Sequence, residues 1–234
     1  MEFSRFALTY EMPIRLGFFL GVFAVMALWE WVAPRRMLTV SKVLRWVNNF
    51  GIVFLSTVLL RVLLPTAAVG VAMYGQSRGL GLFNDWEIPY GLAVLSAIIV
   101  LEVTIYLQHV AFHAVPVLWR LHRVHHADLD FDVTTGARFH PFEILLSMLI
   151  KFAVITALGA PPLAVVIFEI LLNASSMFNH SNVRIPLAVD SGLRWLIVTP
   201  DMHRVHHSVE RDESNNNFGF ILPWWDRLLG TFRS

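Results

Sequence analysis

The sequence predicts an all-α integral membrane protein, with four or five membrane helices, including a helical hairpin, and a cytoplasmic helical cap. Three observations predict it. The 234-residue chain is 56% hydrophobic and only 15% charged, against about 25% charged residues in an ordinary soluble domain. Its apolar residues fall in runs near the ~20 residues that a helix needs to cross a bilayer. Its ten histidines all fall in segments that this topology assigns to one membrane face.

The elements follow in chain order. Residues 1–13 are mixed in polarity and are placed at the membrane surface. They contain no short apolar run ending in a small-residue cleavage site, so no removable signal peptide is expected. Ile14–Val32 is nearly all apolar and forms the first span, with Trp29 and Trp31 as interfacial anchors and Pro34 as its stop. The loop from Ala33 to Trp46 carries Arg35, Arg36, Lys42 and Arg45 with no acidic residue, which the positive-inside rule assigns to the cytoplasm. A second segment, Val47–Tyr74, contains Arg61 and Pro65 and is expected to kink or to face protein. The following loop has no positive excess and suits the outer side. A third span, Ile88 to about Leu107, returns inward and delivers His109 and His113. Phe142–Leu158 and Pro162–Phe178 form a hairpin about the turn residues GAPP. Lys151 and Glu169 lie inside these two runs, where a charge is costly unless it faces protein or water, so the spans number four or five. Residues 181–234 are too polar to span. The whole is read as one membrane-embedded domain, with N-terminal membrane helices over 1–86 and a histidine-rich core over 87–234.

The chemistry is concentrated in the histidines. The pentapeptide HRVHH occurs twice, at His122–His126 and His203–His207, and HVAFH spans His109–His113. Spacings of i, i+3 and i+4 put imidazoles along one helical face. Neutral imidazole binds first-row transition metals at ~2.0–2.1 Å, and a doubled box points to two ions. His140 and His180 flank the hairpin at the same depth and complete the set. The chain has no cysteine, which excludes disulfides, thiolate zinc sites and cysteine-ligated iron–sulfur clusters. Any metal must take nitrogen or oxygen ligands. A net charge of +1 gives no field for nucleic acid. Ten histidines exceed the needs of one catalytic zinc, and the Glu-x-x-His pairs of soluble di-iron bundles are absent. Three readings stand at this point: an all-nitrogen di-iron site at a membrane face, a metal-binding membrane transporter, and a zinc-dependent membrane hydrolase. Transport favours ligands near the bilayer midplane, whereas these lie at one face.

The three boxes, together with RFHP at 138–141, NHSNVRIP at 179–186, TPDMHRVHHS at 199–208, NNNFG at 215–219 and WDRLLGTF at 225–232, resemble the sterol desaturase/fatty acid hydroxylase superfamily. The pattern is nearest to the bacterial branch that resembles alkylglycerol monooxygenase. The resemblance covers roughly Glu87 to the C-terminus. It implies a non-haem di-iron centre that uses O2 and two electrons to hydroxylate, or alternatively desaturate, an unactivated C–H bond of a lipid. The substrate class it implies is fatty acyl, sterol-like or ether lipid. It also implies His109, His113, His122, His125, His126, His180, His203, His206 and His207 as ligands, with His140 as a tenth or as a partner of one. Asp201, Glu210 and Asp226 are candidates to accept the second N–H of ligand histidines; Asp201 equally suits a helix cap. Asn215, Asn216 and Asn217 suit turn hydrogen bonds rather than metal bonds. No Gly-rich fingerprint for NAD or flavin is present. A separate reductase or small electron-transfer protein is therefore expected, with the basic surface from Arg35 to Arg45 as its docking patch or as a site for lipid headgroups. The implied location is a bacterial inner membrane with the boxes on the cytoplasmic side.

Overall fold

Apolar helices decide the architecture, and the computed structural model of the protein describes residues 2–128 and 130–234. Regular structure among them is helical: α1 (Glu2–Thr9), α2 (Glu11–Val32), α3 (Lys42–Leu63), α4 (Ala68–Ser77), α5 (Leu82–Asp85), α6 (Tyr90–Ala114), α7 (Pro116–His126), α8 (Pro141–Leu158), α9 (Pro162–Asn179), α10 (Leu187–Leu193), α11 (Pro200–His206), α12 (Arg211–Ser214) and α13 (Trp224–Leu229). Pairing between extended segments among these residues is limited to an isolated bridge, Pro34 with Val183. Five helical segments are long and apolar enough to cross a bilayer: 11–32, 42–85, 90–114, 141–158 and 162–179. The protein is an all-α membrane protein, as its composition predicts.

Two boundaries differ from the sequence-based expectation. The second segment breaks after Leu63, because Pro65 has no N–H to continue the ladder and forces Leu64 into an extended conformation, φ −112° and ψ 123°. The chain then restarts as α4, whose small residues Ala68, Val69, Ala72 and Gly75 bury against α8 and α9. The third segment continues past Leu107 to Ala114, where Val115 precedes Pro116 and leaves the helical region. His109 and His113 therefore sit on the last turns of a membrane helix rather than beyond its end.

The α8–α9 hairpin turns at Gly159, which is left-handed with φ +66°. A Cβ there would meet the carbonyl oxygen of Leu80 at 2.3 Å, so the hairpin tip packs on the loop before α5. That contact places the 78–87 loop and the hairpin tip together, at the end of the bundle opposite the histidines. The core between α4, α6, α8 and α9 is apolar, with Leu101, Ile155, Ala164 and Phe168 fully buried.

The charges inside the hairpin face each other. Lys151 Nζ donates to Glu169 at 3.1 Å, and an Arg15 guanidinium nitrogen from α2 lies 2.8 Å from the same carboxylate. At the histidine end the N-terminal helices are tied to the core by further buried charge. The Glu30 carboxylate accepts from the backbone of Val133 (2.7 Å) and Asn182 (2.9 Å) and from Lys42. Arg45 is buried and donates to both Asp128 and Asp132. Asp130 accepts from the backbone of Thr39 and Val40. The acidic cluster after the first box is thus a clasp for the loop before α3. The basic loop contributes less free charge than its sequence implies, since Arg45 is enclosed, Lys42 serves Glu30 and Arg35 pairs with Asp201 at 3.0 Å.

Candidate metal centre

Both HRVHH boxes are carried on short helices that begin with proline at the first position: Pro116 in α7 and Pro200 in α11. Thr199 caps α11 by accepting from the Met202 N–H. These helices, the end of α6 and the end of α9 bring nine histidines together in two groups. One contains His109, His113, His122, His126 and His206; the other contains His125, His180, His203 and His207. Within each group one ring nitrogen per residue lies within 4.8 Å of all the others.

The grouping divides each box. The i, i+4 pairs His109/His113 and His122/His126 serve the first group, and His203/His207 serves the second. The intervening histidine of each box crosses over, His125 to the second group and His206 to the first. A helix turns 100° per residue, so positions 122 and 126 lie about 40° apart, while position 125 lies about 60° from one and 100° from the other. With the two boxes packed against each other, His125 and His206 point to opposite groups from their own box's i, i+4 pair.

Hydrogen bonding fixes the tautomers. The Nδ1 atoms of His109, His125, His180 and His206 bond the carbonyl oxygens of Phe218 (2.8 Å), Arg138 (3.2 Å), Ser176 (2.7 Å) and Asn216 (2.8 Å). His122 Nδ1 bonds the Glu143 carboxylate at 2.7 Å. A carbonyl or carboxylate can only accept, so each Nδ1 carries the proton and each Nε2 presents a lone pair. Yet Nε2 atoms face one another at 3.1 Å between His109 and His122 and at 3.0 Å between His125 and His180. Two lone pairs at that distance repel unless a cation lies between them. The buried Nε2 of His206 has no hydrogen-bond partner among the described residues. Two nitrogens each ~2.1 Å from one ion and at right angles about it are separated by about 3.0 Å. The donor set fits a transition metal in each group.

Burial reinforces the neutral form. His122, His125, His203 and His206 are almost completely enclosed. Desolvation, followed by the neighbouring imidazoles, holds their pKa values well below the ordinary histidine value. His126 and His207 are lowered in the same way, and His180 is brought down by burial to about 4.

The structure does not bring His140 into either group. It caps α8, where its Nδ1 accepts from the Phe142 N–H at 3.2 Å and its ring stacks on Phe142. The three carboxylates expected behind the histidines lie elsewhere, and two of them have other partners among the described residues. Asp201 bonds Arg35 and Arg204. Asp226 accepts from the Phe218 and Gly219 N–H groups and the Thr231 hydroxyl, and Glu210 precedes α12 on the exposed side. Backbone carbonyls and Glu143 take the role assigned to them. Asp226 acts at one remove, by holding the turn whose Phe218 carbonyl meets His109. The asparagines do form turn bonds, and the turn they build serves the histidines: Asn216 supplies a carbonyl to His206, and Asn215 Oδ1 lies 3.4 Å from His113 Nδ1. Glu143 went unnoticed in the sequence although a signal existed, a lone acid at the start of an apolar run.

Beside the first group lies a cavity of about 330 Å³ between α2, α3, α6, α8 and α9. His109, His122, Phe112, Phe139 and Glu143 line one end of it, and Arg15, Lys151 and Glu169 line the other.

Fold and site together define a membrane protein with two all-histidine clusters that could hold metal at one end of its helices and an apolar cavity leading to them. The chain belongs to the fatty acid hydroxylase family, whose model matches residues 94–231, more than half of its length. It is similar to the ornithine lipid hydroxylase OlsE of Rhizobium tropici, with 29% identity over 73% of this chain and 50% of that one. Human alkylglycerol monooxygenase is 30% identical over 65% of this chain and 33% of its own, and human cholesterol 25-hydroxylase 25% identical over 60% and 51%. The chain spans about half the length of these relatives or less. No solved structure gives a significant match. The resemblance carried by the histidine boxes, including the likeness to alkylglycerol monooxygenase, is borne out.

Proposed function

We propose that the protein is a membrane-bound lipid hydroxylase with two non-haem iron ions. The overall reaction takes R–H, O2, two electrons and two protons to R–OH and water. The observation that carries the proposal is the set of facing Nε2 lone pairs, tied off at Nδ1 and opening on an apolar cavity within the membrane helices. Family membership and relatives named as hydroxylases and monooxygenases of lipids support it. Iron is the metal of choice because the ligands are all imidazole, which suits iron, and because nine exceed what zinc chemistry uses. Iron held there would supply the activation of O2 for attack on an unactivated C–H bond.

The chain's own residues do the rest. His109, His113, His122, His126 and His206 would hold one ion and His125, His180, His203 and His207 the other. The Nδ1 acceptors fix each ring's orientation, and Glu143 holds the Nδ1 proton of His122. Phe112 and Phe139 exclude water and hold an apolar chain beside His109 and His122. Electrons would come from a separate protein. Desaturation is a second outcome of the same chemistry, and the geometry gives it no separate support. We place the histidine end on the cytoplasmic side of a bacterial inner membrane, on the strength of the basic loop at 33–46.

Metal analysis of anaerobically purified protein tests the proposal. Two irons per chain are expected, together with an O2-dependent hydroxylated lipid that a deletion strain lacks and a His206→Ala strain fails to restore. One zinc per chain with activity independent of O2 would overturn it.

A further inference from the structure

Residues 181–234 are too polar to span a bilayer, yet the fold carries part of them down the side of a membrane helix. The Leu222 N–H donates to the Glu102 carboxylate at 2.7 Å, and the Tyr106 and Thr231 hydroxyls share a hydrogen bond of 2.7 Å. Both anchors are on α6. Glu102 lies seven residues before His109, which is about 10 Å further into the membrane at 1.5 Å per residue. The chain from Leu222 to Thr231, which includes α13, is thus fixed at both ends below the level of His109. On α6 itself, Ile99 and Leu107 are exposed on either side of these anchors, so lipid reaches this depth.

What this segment shows outward is apolar. Trp224, Leu228 and Leu229 of α13 are exposed, and so are Trp195 and Leu196 in the turn after α10. Hydrogen bonds tie the two stretches into one surface: Trp224 Nε1 donates to the Trp195 carbonyl at 2.7 Å, Arg227 to the Arg194 carbonyl at 3.0 Å, and the Val198 N–H to the Ile221 carbonyl at 3.0 Å. The polar groups turn inward or pair off. Asp190 and Asp226 are buried, and Arg194 lies 2.6 Å from Asp190. The Arg227 guanidinium lies over the rings of Trp195 and Phe232, at 3.9 and 3.8 Å. Exposed tryptophan and leucine, with arginine among them and the carboxylates withdrawn, is the composition of an element lying in a membrane interface. A contiguous apolar surface of this kind marks a contact, and at the depth of Glu102 what it meets is lipid.

We propose that the turn after α10 and the segment from Leu222 to Leu229 form a monotopic platform, embedded in the leaflet at the histidine end and continuous with the lipid-facing side of α6. Its partner is the lipid surface. The platform enters the bilayer without crossing it. The turn that leads into it carries Phe218, whose carbonyl holds His109, and Phe220, which lines the cavity. Lipid contact at the platform therefore anchors one wall of the site, whichever metal the histidines hold.

The test uses the full chain in nanodiscs of phosphatidylcholine and phosphatidylglycerol, with an NBD fluorophore on single cysteines, which the absence of native cysteine permits. Leu196→Cys and Leu228→Cys report on the two halves of the platform. Val209→Cys, at a residue 94% exposed beyond α11, reports on the aqueous side. NBD at positions 196 and 228 is expected to lose most of its emission to a phosphatidylcholine carrying a nitroxide high on its acyl chain, and to keep it in iodide. NBD at position 209 should do the reverse. Each half carries its own probe, so one variant that fails to fold leaves the other decisive. Iodide quenching at 196 and 228 equal to that at 209 overturns the inference. Shielding from both quenchers, together with two chains per disc, also overturns it and makes the face a contact with a second copy.

Discussion

His122 is held from both sides, and its two nitrogens explain most of the site. Nδ1–H donates a hydrogen bond to Glu143, which leaves the Nε2 lone pair facing His109 at 3.1 Å. Removing such a partner typically lowers metal affinity 10- to 100-fold. Glu143→Ala should therefore lose metal to a chelator at about 10- to 100-fold lower chelator concentration, whereas Glu143→Gln, which keeps an acceptor, should lose less; metal content after dialysis reads both. The pH response has a definite sign. Folding lowers the pKa of His180 from 6.5 to about 4, so between those values the unfolded chain binds the extra proton. Stability of the metal-free protein should be full above pH 6.5 and fall as pH drops from 6.5 to about 4, followed by its thermal midpoint in detergent. Bound metal steepens the same trend, because protons compete for the ligands. The ring pairs at i and i+4 were legible in the sequence, since helical period alone sets them. Glu143 was not, because it reaches His122 only through tertiary packing.

At the scale of elements, proline decides where the boxes begin and buried charge decides where they sit. Pro116 and Pro200 start α7 and α11, so each box occupies the closing turn of a short, fresh helix. The segment after the first box is clasped by Arg45, which reaches it from α3 and bonds Asp128, Asp132 and Thr135. Breaking a buried pair by removing one partner costs about 3–5 kcal/mol. Arg45→Met should be destabilised by about that amount in denaturation, and its second metal group should loosen, because His125 lies three residues before Asp128. The α8–α9 hairpin was legible from GAPP and from two apolar runs of equal length. The break at Pro65 was expected as a kink. The emergence of α4 as a separate helix was not, because its small residues show their purpose only when α8 and α9 lie against them.

Across the whole molecule, the helix ends sort into two layers. The loop at 33–46, both boxes and the C-terminal turn lie at one end, while the 78–87 loop and Gly159 lie at the other. The chain has no cysteine, so single cysteines report cleanly on sidedness. An impermeant maleimide added to intact spheroplasts should label Ser77→Cys and leave Ser41→Cys and Val209→Cys unlabelled until the membrane is opened. Labelling of Ser41→Cys and Val209→Cys from outside, with Ser77→Cys protected until the membrane is opened, would reverse the proposed orientation. The amino-acid sequence by itself determined the membrane class, the approximate spans and ten candidate histidines at one membrane face, because hydropathy and helical period are local properties. It could not determine how those histidines divide. The exchange of His125 and His206 between groups, the exclusion of His140, and the replacement of Asp201, Glu210 and Asp226 by carbonyls and Glu143 were decided by tertiary structure. The reason is physical: a ligand set is closed by side chains from helices that meet only after packing, and no spacing along the chain records which faces will meet.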